Sequence, residues 1–518
     1  MKKLSYTIMA AAATMCLLSS CNDFFDVRPS NEMVLDEFWK SEADVLSVTG
    51  ACYRAMQEPG FTQRLIIWSE FRSDNVILGN NVGTDLNYIG TLNILPSNGY
   101  AYWGDYYYVI NLCNTVEHFA PGVCDIDPNF SKAEMLSYVA EAKAVRAFCY
   151  FTLVRTFRDV PLVVEPTVDD TQDFQCAQTN PDELIDFLID DLKEAETYAT
   201  DSWSNTEYTK GRFTKAGVRA LIADMCLWRN RYEECVDYCD RILNDSKNIL
   251  SLVPSNLYNR NVFINGNSTE SIFELQFTRS NIPNYSLCEF YATSGGHSGW
   301  GHQQMMAYDF TTTNLFSETD LRGVDSFYSH SSLAAFPIKK YLAYRNELTT
   351  TNVRESDYIN VDGGGSNWIF YRLPDIMLMK AEALVEMNIS LETAFNLVSQ
   401  VYDRANPEAG VGSLSFSSYN TQDRMRDLVF DERQREFLFE GKRYFDILRR
   451  INRDKTQFQN IVNTYLLPKY SSLDQSTVTS KLSELDALYM PIKDTELQSN
   501  KLLVQNPFYK VSSSIEKN

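Results

Sequence analysis

The chain has 518 residues, with 47 lysines and arginines against 68 aspartates and glutamates and a formal charge of −21. That balance argues against a nucleic acid or other polyanion as ligand, because such binding draws on clustered Lys and Arg, and no basic run occurs. No segment reaches the ~20 consecutive apolar residues needed to span a bilayer, so the bulk of the chain reads as a water-facing body large enough for a substantial core.

Lys2 and Lys3 precede a mostly apolar run from Ile8 to Leu18, closed by Ser19-Ser20-Cys21. This is the order of parts in a secretory signal. A cysteine directly after small residues resembles a bacterial lipobox, which implies cleavage before Cys21 and acylation of that residue. The expected organisation is a signal over 1–20, a tether over 21–30 and a single body over 31–518. Two or more acyl chains anchor a protein stably without any membrane helix.

Helical patterning begins near Glu37 and is broken by Pro59-Gly60. Residues 74–104 read as loop-rich, punctuated by glycines at 79, 83, 90, 99 and 104. A helix is expected over about 105–119, ahead of Pro121-Gly122. Ala133 to Phe157 carries apolar residues near a 3.6 period and reads as one long helix. Pro181 to Ala199 is another, with Pro at the first turn and acids beside it. Thr214 caps a helix running to Trp228. Arg231-Tyr232 marks a bend, and a partner helix continues to about Leu243. A similar pair covers 373–387 and 391–405. Each pair takes about 34 residues, the period of a tetratricopeptide-like hairpin. The helices at 105–119, 133–157, 181–199 and 421–441 are expected to complete further, irregular pairs. The fold class is therefore mainly α, with an irregular insert over about 245–370 that holds a strand-like run at 272–277. Long inserts of this kind in a helical frame usually carry function.

Chemistry-bearing motifs are sparse. Eleven cysteines fall to nine once Cys16 and Cys21 are set aside, and the spacing is scattered without a CxxC. Cys235 and Cys239, one helical turn apart, read as small buried hydrophobes, with thiolate ligation as the sharper alternative. His297 and His302 lack the further ligands that a tetrahedral zinc site needs. There is no Walker loop, dinucleotide fingerprint or G-x-S-x-G elbow, so no cofactor and no metal are expected. Acids at Glu432, Glu436 and Glu440 sit at helical spacing, and Arg433, Arg435 and Arg443 are expected to pair with them, along with an Asp431–Arg435 pair.

Four blocks resemble the SusD-like (RagB/SusD) family of outer-membrane nutrient-binding lipoproteins. The first runs from Cys21-Asn22-Asp23-Phe24-Phe25-Asp26 through Ala140–Phe148 and Phe157-Arg158-Asp159-Val160-Pro161-Leu162. The second is Tyr371–Ala383, the third Glu432–Asp446, and the fourth runs from Tyr489-Met490-Pro491-Ile492 to Gln505-Asn506-Pro507. The family usually has Gly where Arg158 stands and a small residue at Pro374. The resemblance implies a non-catalytic, surface-exposed lipoprotein of the cell outer membrane. It would bind a glycan or another nutrient and deliver it to a SusC-type TonB-dependent transporter. The alternatives are a helical scaffold that binds only proteins and a lipid-anchored glycoside hydrolase with two opposed carboxylates.

Ligand contacts are expected where irregular backbone carries aromatics, since a sugar ring stacks its C–H face on an aromatic ring while its hydroxyls seek polar side chains. Trp300, flanked by glycines, is the first candidate. Tyr291, His297 and His302 lie in the same segment. Asn80, Asn81 and Tyr88 form a second group in a loop that often contributes to the site in the family. Trp368, after three glycines, is a third candidate, whereas Trp103 reads as packing.

Overall fold

The structure is a computed structural model. It describes residues 38–510 apart from 80, 169–171, 293–302, 309–314, 328–336, 345–360, 363, 411 and 471–472. Residues Met1–Lys40 and Ser41–Asn518 form separate units, and every element named here lies in the larger.

Helix α1 is Glu42–Met56 and α2 is Pro59–Ile66, which passes into a π-helical turn at Ile67–Phe71. Pro59 opens α2 instead of breaking structure, because its missing N–H costs nothing at the first helical position. Strand β1 (Val76–Leu78) and α3 (Thr84–Gly90) follow in the glycine-rich stretch. Helix α4 runs Gly104–Ile126, through Pro121 and past the expected stop. Helix α5 is Lys132–Phe157. Its start is fixed by a reciprocal pair in which Glu134 N donates to Ser131 Oγ (3.2 Å) and Ser131 N donates to Glu134 Oε2 (3.0 Å). From Ala140 to Phe157 every residue of α5 is buried, because neighbouring helices cover it on several sides.

Helices α6 (Pro181–Tyr198), α7 (Thr206–Gly211), α8 (Lys215–Trp228) and α9 (Tyr232–Leu243) come next. The insert contributes β2 (Ser271–Leu275), α10 (Tyr285–Phe290), β3 (Met305–Ala307), α11 (Leu321–Ser326) and β4 (Trp368–Arg372). Helices α12 (Leu373–Glu386), α13 (Leu391–Ala405), α14 (Gln422–Glu436) and α15 (Arg443–Arg453) complete the main body. Packing runs α1–α4–α5–α6–α8–α9–α12–α13–α14, so the two clear hairpins, α8/α9 and α12/α13, meet through α9 and α12 across the insert. Cys235 and Cys239 are fully buried on α9, as small hydrophobes would be. Among the described residues no helix is long and apolar enough to cross a membrane.

All described strands pair in antiparallel twos. β2 pairs with β4 (Glu274↔Ile369, Leu275↔Trp368), and β4 runs directly into α12. Arg158, where the family usually has Gly, sits at φ +71, a conformation that favours glycine. Its guanidinium pairs with Asp159 (2.6 Å) and with Asp486.

The expected acid cluster is an interior ion network, but of the three expected arginines only Arg435 pairs with it, and its other cations come from elsewhere. Glu436 meets Arg372 (2.5 Å), Arg322 (2.8 Å) and Arg404. Glu440 meets Arg372 (2.7 Å) and Lys340 (2.6 Å), and Glu432 meets Arg322 (2.7 Å). Of the neighbouring arginines, Arg433 pairs with Asp375 and Asp446, and Arg443 with Asp74. Arg435 pairs with Glu432 (2.9 Å) and not with Asp431. The surrounding arginines hold the Glu436 carboxyl well below the usual range despite burial. Every member is paired, as buried charge requires.

Candidate functional site

The first element of the site is a ladder between β1 and β3, with Val76↔Ala307, Ile77↔Met306 and Leu78↔Met305 in register. It extends at both ends. Gly79 N donates to Gln304 O and Tyr308 N donates to Asn75 O, each at 2.9 Å. A Cβ at Gly79 would stand 2.0 Å from Gln303 O, so the close approach requires glycine. The Gln304 amide ties three segments together. Its Oε1 accepts from Gly83 N (3.4 Å), and its Nε2 donates to Glu289 Oε1 (2.7 Å). Gln63 Nε2 holds the other oxygen of Glu289 at 2.6 Å. Gln303 N donates to Ala292 O at 2.9 Å. The glycine-rich stretch after residue 74 and the segment around Tyr291 are therefore neighbours in space.

At one end of the ladder, Gly83 caps α3. Leu86 and Ile89 anchor that helix inward, which leaves the Tyr88 ring exposed. Asn81 is exposed at φ +52.

At the other end lies a cavity of about 230 Å³, lined by Asp74, Tyr308, Asp431, Gln434, Arg435 and Tyr465 among others. Both tyrosine rings are half-buried. Tyr308 OH donates to Pro468 O (3.0 Å), and Tyr465 packs edge-on against Phe430, so the rings are held in place. Asp74 receives both Arg443 Nε and Nη2 at 2.9 Å, and Gln434 Nε2 donates to Asn75 Oδ1 at 2.9 Å. Burial raises the Asp431 carboxyl above its usual value, while Arg435 opposes the shift. Asp74 is taken by the Arg443 fork, so the cavity does not present two free, opposed carboxylates of the kind glycoside hydrolysis uses. Flat rings beside an acid and a guanidinium suit a neutral, hydroxyl-rich ring.

Beneath β1, two buried groups fasten the chain. Glu70 accepts from Asn75 Nδ2 (2.7 Å) and Gly441 N (2.8 Å), and burial pushes its carboxyl up to about 7. Lys469 Nζ donates to Phe71 O (2.9 Å) and Ser73 O (2.6 Å), and burial brings it down to about 7.

Of the residues singled out from sequence, Asn81 and Tyr88 lie beside the ladder with exposed side chains. Tyr291 is a correction. It is fully buried, donates to Phe439 O (3.2 Å) and offers no surface. Trp368 is a second correction. It is buried in β4, with its ring 5.4 Å from that of Tyr341 and within 8° of parallel. Trp103 packs in the interior as expected. Cys21, Asn80, His297, Trp300 and His302 lie outside the described residues. Sequence reasoning missed Tyr308, Tyr465 and Gln434. Tyr308 stands six residues beyond His302 in the same insert, a signal that was there to be used. Tyr465 sits in a π-helical turn, Val462–Leu466, that no periodicity marks.

Residues 284–509 match the model of the SusD family. SusD-like protein P38 of Formosa agariphila is 25% identical over 489 residues, covering 86% of this chain and 91% of that protein. The C-terminal part of the chain is thus similar to the SusD family, and the full-length relatives it matches are SusD-like proteins. Solved SusD-family structures share its fold. A SusD superfamily protein from Bacteroides vulgatus superposes with a TM-score of 0.72 at 19% identity, covering 91% of this chain and all of that one. Surface glycan-binding protein A from Bacteroides thetaiotaomicron, in complex with laminarihexaose, gives 0.68 at 19% identity, covering 90% of this chain and all of its own. The third matching block supplies the acids of the ion network, and the cavity beside it is lined by Gln434 and Arg435 of that block together with Asp431 just before it.

Proposed function

We propose that this protein is a non-catalytic, surface-exposed glycan-binding lipoprotein of the outer membrane, anchored through acylated Cys21, which passes its ligand to a SusC-type TonB-dependent transporter. The signal over 1–20, the tether over 21–30 and the single body over 31–518 belong to the same reading. The observation that carries it is the β1–β3 ladder. It brings Asn81 and Tyr88 to one end of a face whose other end is the Tyr308/Tyr465 cavity. A glycan-binding protein with the same fold was solved in complex with laminarihexaose. Rings provide affinity through stacking, and Asp431 and Arg435 provide hydrogen bonds to hydroxyls. An acyl tether keeps the protein near its transporter at high effective concentration, so modest intrinsic affinity suffices. A helical scaffold for proteins alone would have no use for this aromatic face.

The test is affinity electrophoresis of the full-length protein in detergent through gels containing laminarin, starch, xylan, pectin or mucin glycans. Retardation by at least one is expected; free migration through all of them contradicts the proposal. Co-purification of a β-barrel with the native lipoprotein, lost on Cys21→Ser together with surface display, tests the anchor and the partner.

A further inference from the structure

A second cavity, of about 600 Å³, opens between α1, the N-terminal half of α5, α7 and the end of β2. It shares no lining residue with the β1–β3 face. Its volume lies within the range of about 300–1,000 Å³ usual for small-molecule sites.

The floor is aromatic. Tyr138 and Trp203 lie within 8° of parallel, with centroids 6.0 Å apart. Tyr138 is only 7% exposed and backs the indole, so the ring surface open to the cleft comes from Trp203 and from Tyr208 at its rim. Trp203 is half-buried and clamped. Its Nε1 donates to Phe213 O (3.3 Å), and its backbone N donates to Thr209 Oγ1 (3.0 Å) at the end of α7. Tyr138 OH donates to Glu42 Oε1 (3.1 Å). The Arg212 guanidinium lies 3.5 Å over the indole. These ties fix the rings before any ligand arrives, which removes part of the ordering cost of binding. Tyr208 adds a third ring at the rim, 51% exposed, and Leu46 adds apolar surface, 41% exposed.

The polar groups select the ligand class. Arg212 spends Nε and Nη2 on Glu141, at 2.8 and 2.6 Å, so its charge is already neutralised. Glu207 adds a negative charge at the mouth, which turns anionic ligands away. Neutral hydrogen-bonding capacity remains in Gln57 Oε1 (its Nε2 donates to Gln276 O at 2.6 Å), Ser204 and the Tyr208 hydroxyl. Open aromatic rings edged by such groups match the alternating C–H faces and hydroxyls of consecutive neutral sugars.

We propose that this cleft is a second binding site of the protein, taking a neutral oligosaccharide against the Trp203 and Tyr208 rings. The choice of ligand rests on the glycan reading above; the site rests on its own geometry.

The test uses full-length protein labelled with 5-fluorotryptophan. Its seven tryptophans give a small set of fluorine lines, and Trp203→Phe identifies the Trp203 line by its loss. Maltohexaose, cellohexaose and laminarihexaose are titrated separately. A saturable shift of the Trp203 line is expected with at least one. The shift should persist in Tyr308→Ala, which disables the other face, and its midpoint should rise about tenfold in Tyr208→Ala. A Trp203 line unmoved by all three, while other lines respond, overturns this site and leaves the first reading standing. Loss of the shift in Tyr308→Ala, or an unchanged midpoint in Tyr208→Ala, also overturns it. Silence of every line with all three sugars likewise overturns this site, while the first reading, whose named contacts include no tryptophan, stands or falls by the electrophoresis.

Discussion

Gly79→Ala is the substitution that most cleanly separates the ladder from the rest of the fold. The added Cβ would lie 2.0 Å from Gln303 O, whereas real Cβ atoms do not come closer than about 3.0 Å. The neighbouring atom is backbone, so β1 and β3 must part by about 1 Å or more. That breaks Gly79 N to Gln304 O and pulls the Gln304 amide away from Gly83 and Glu289. Overpacking costs about 1–3 kcal/mol and the lost hydrogen bond about 1 kcal/mol, so the ladder loses roughly 2–4 kcal/mol. The loss is local, and amide exchange in β1 and β3 should accelerate roughly 30- to 1,000-fold while helices α8 and α12 keep their protection. Glycan affinity should fall by about tenfold or more as the face loses its geometry. Gly122→Ala is the control, since an added Cβ there meets nothing within 4 Å. Unchanged exchange and unchanged affinity in Gly79→Ala would refute the reasoning.

Four further outcomes follow from burial, charge and backbone geometry. The Glu70 carboxyl is raised from 4.5 to about 7, so the native state binds more protons than the unfolded chain between those values, and stability falls as pH rises through that window. The fall is about 3 kcal/mol, and Glu70→Gln should abolish it in denaturant titrations run from pH 4.5 to 7. Lys469 is lowered from 10.5 to about 7, so its contribution has the opposite sign: stability rises from pH 7 upward, and Lys469→Met should flatten that limb. Arg158→Gly should be about 1 kcal/mol more stable than Arg158→Ala, because both lose the ion pairs but only Gly is at ease at φ +71; equal melting temperatures would argue against strain there. Arg372→Met leaves Glu436 and Glu440 short of a cation and should cost about 3–5 kcal/mol, whereas Lys247→Ala, which removes the exposed Lys247–Asp201 pair, should leave the melting temperature almost unchanged.

Sequence carried the helices and little of the site. Helices α5, α6, α8/α9 and α12/α13 were readable because caps and apolar spacing act within a turn or two of chain. Pro121 misled because a proline near the exposed end of α4 costs one hydrogen bond without stopping the helix. Tyr291 and Trp368 looked available because their neighbours in sequence leave them bare. The groups that cover them, Phe439 and Tyr341, come from elsewhere in the chain. Glu432, Glu436 and Glu440 were rightly read as structural, yet apart from Arg435 their cations, Arg322, Lys340, Arg372 and Arg404, arrive from distant points that local spacing could not supply. Tyr308 and Tyr465 meet for the same reason: tertiary packing brings together segments far apart in sequence.

The most direct test compares glycan affinity before and after the face is stripped. Full-length protein carrying Tyr208→Ala, so that the α7 cleft does not mask the effect, is titrated calorimetrically with the polysaccharide that retards it best. The same background is then given Tyr88→Ala and Tyr308→Ala. Affinity should fall by about tenfold or more with the fold intact by circular dichroism. Equal affinity in the two proteins would place the ligand somewhere other than the β1–β3 face.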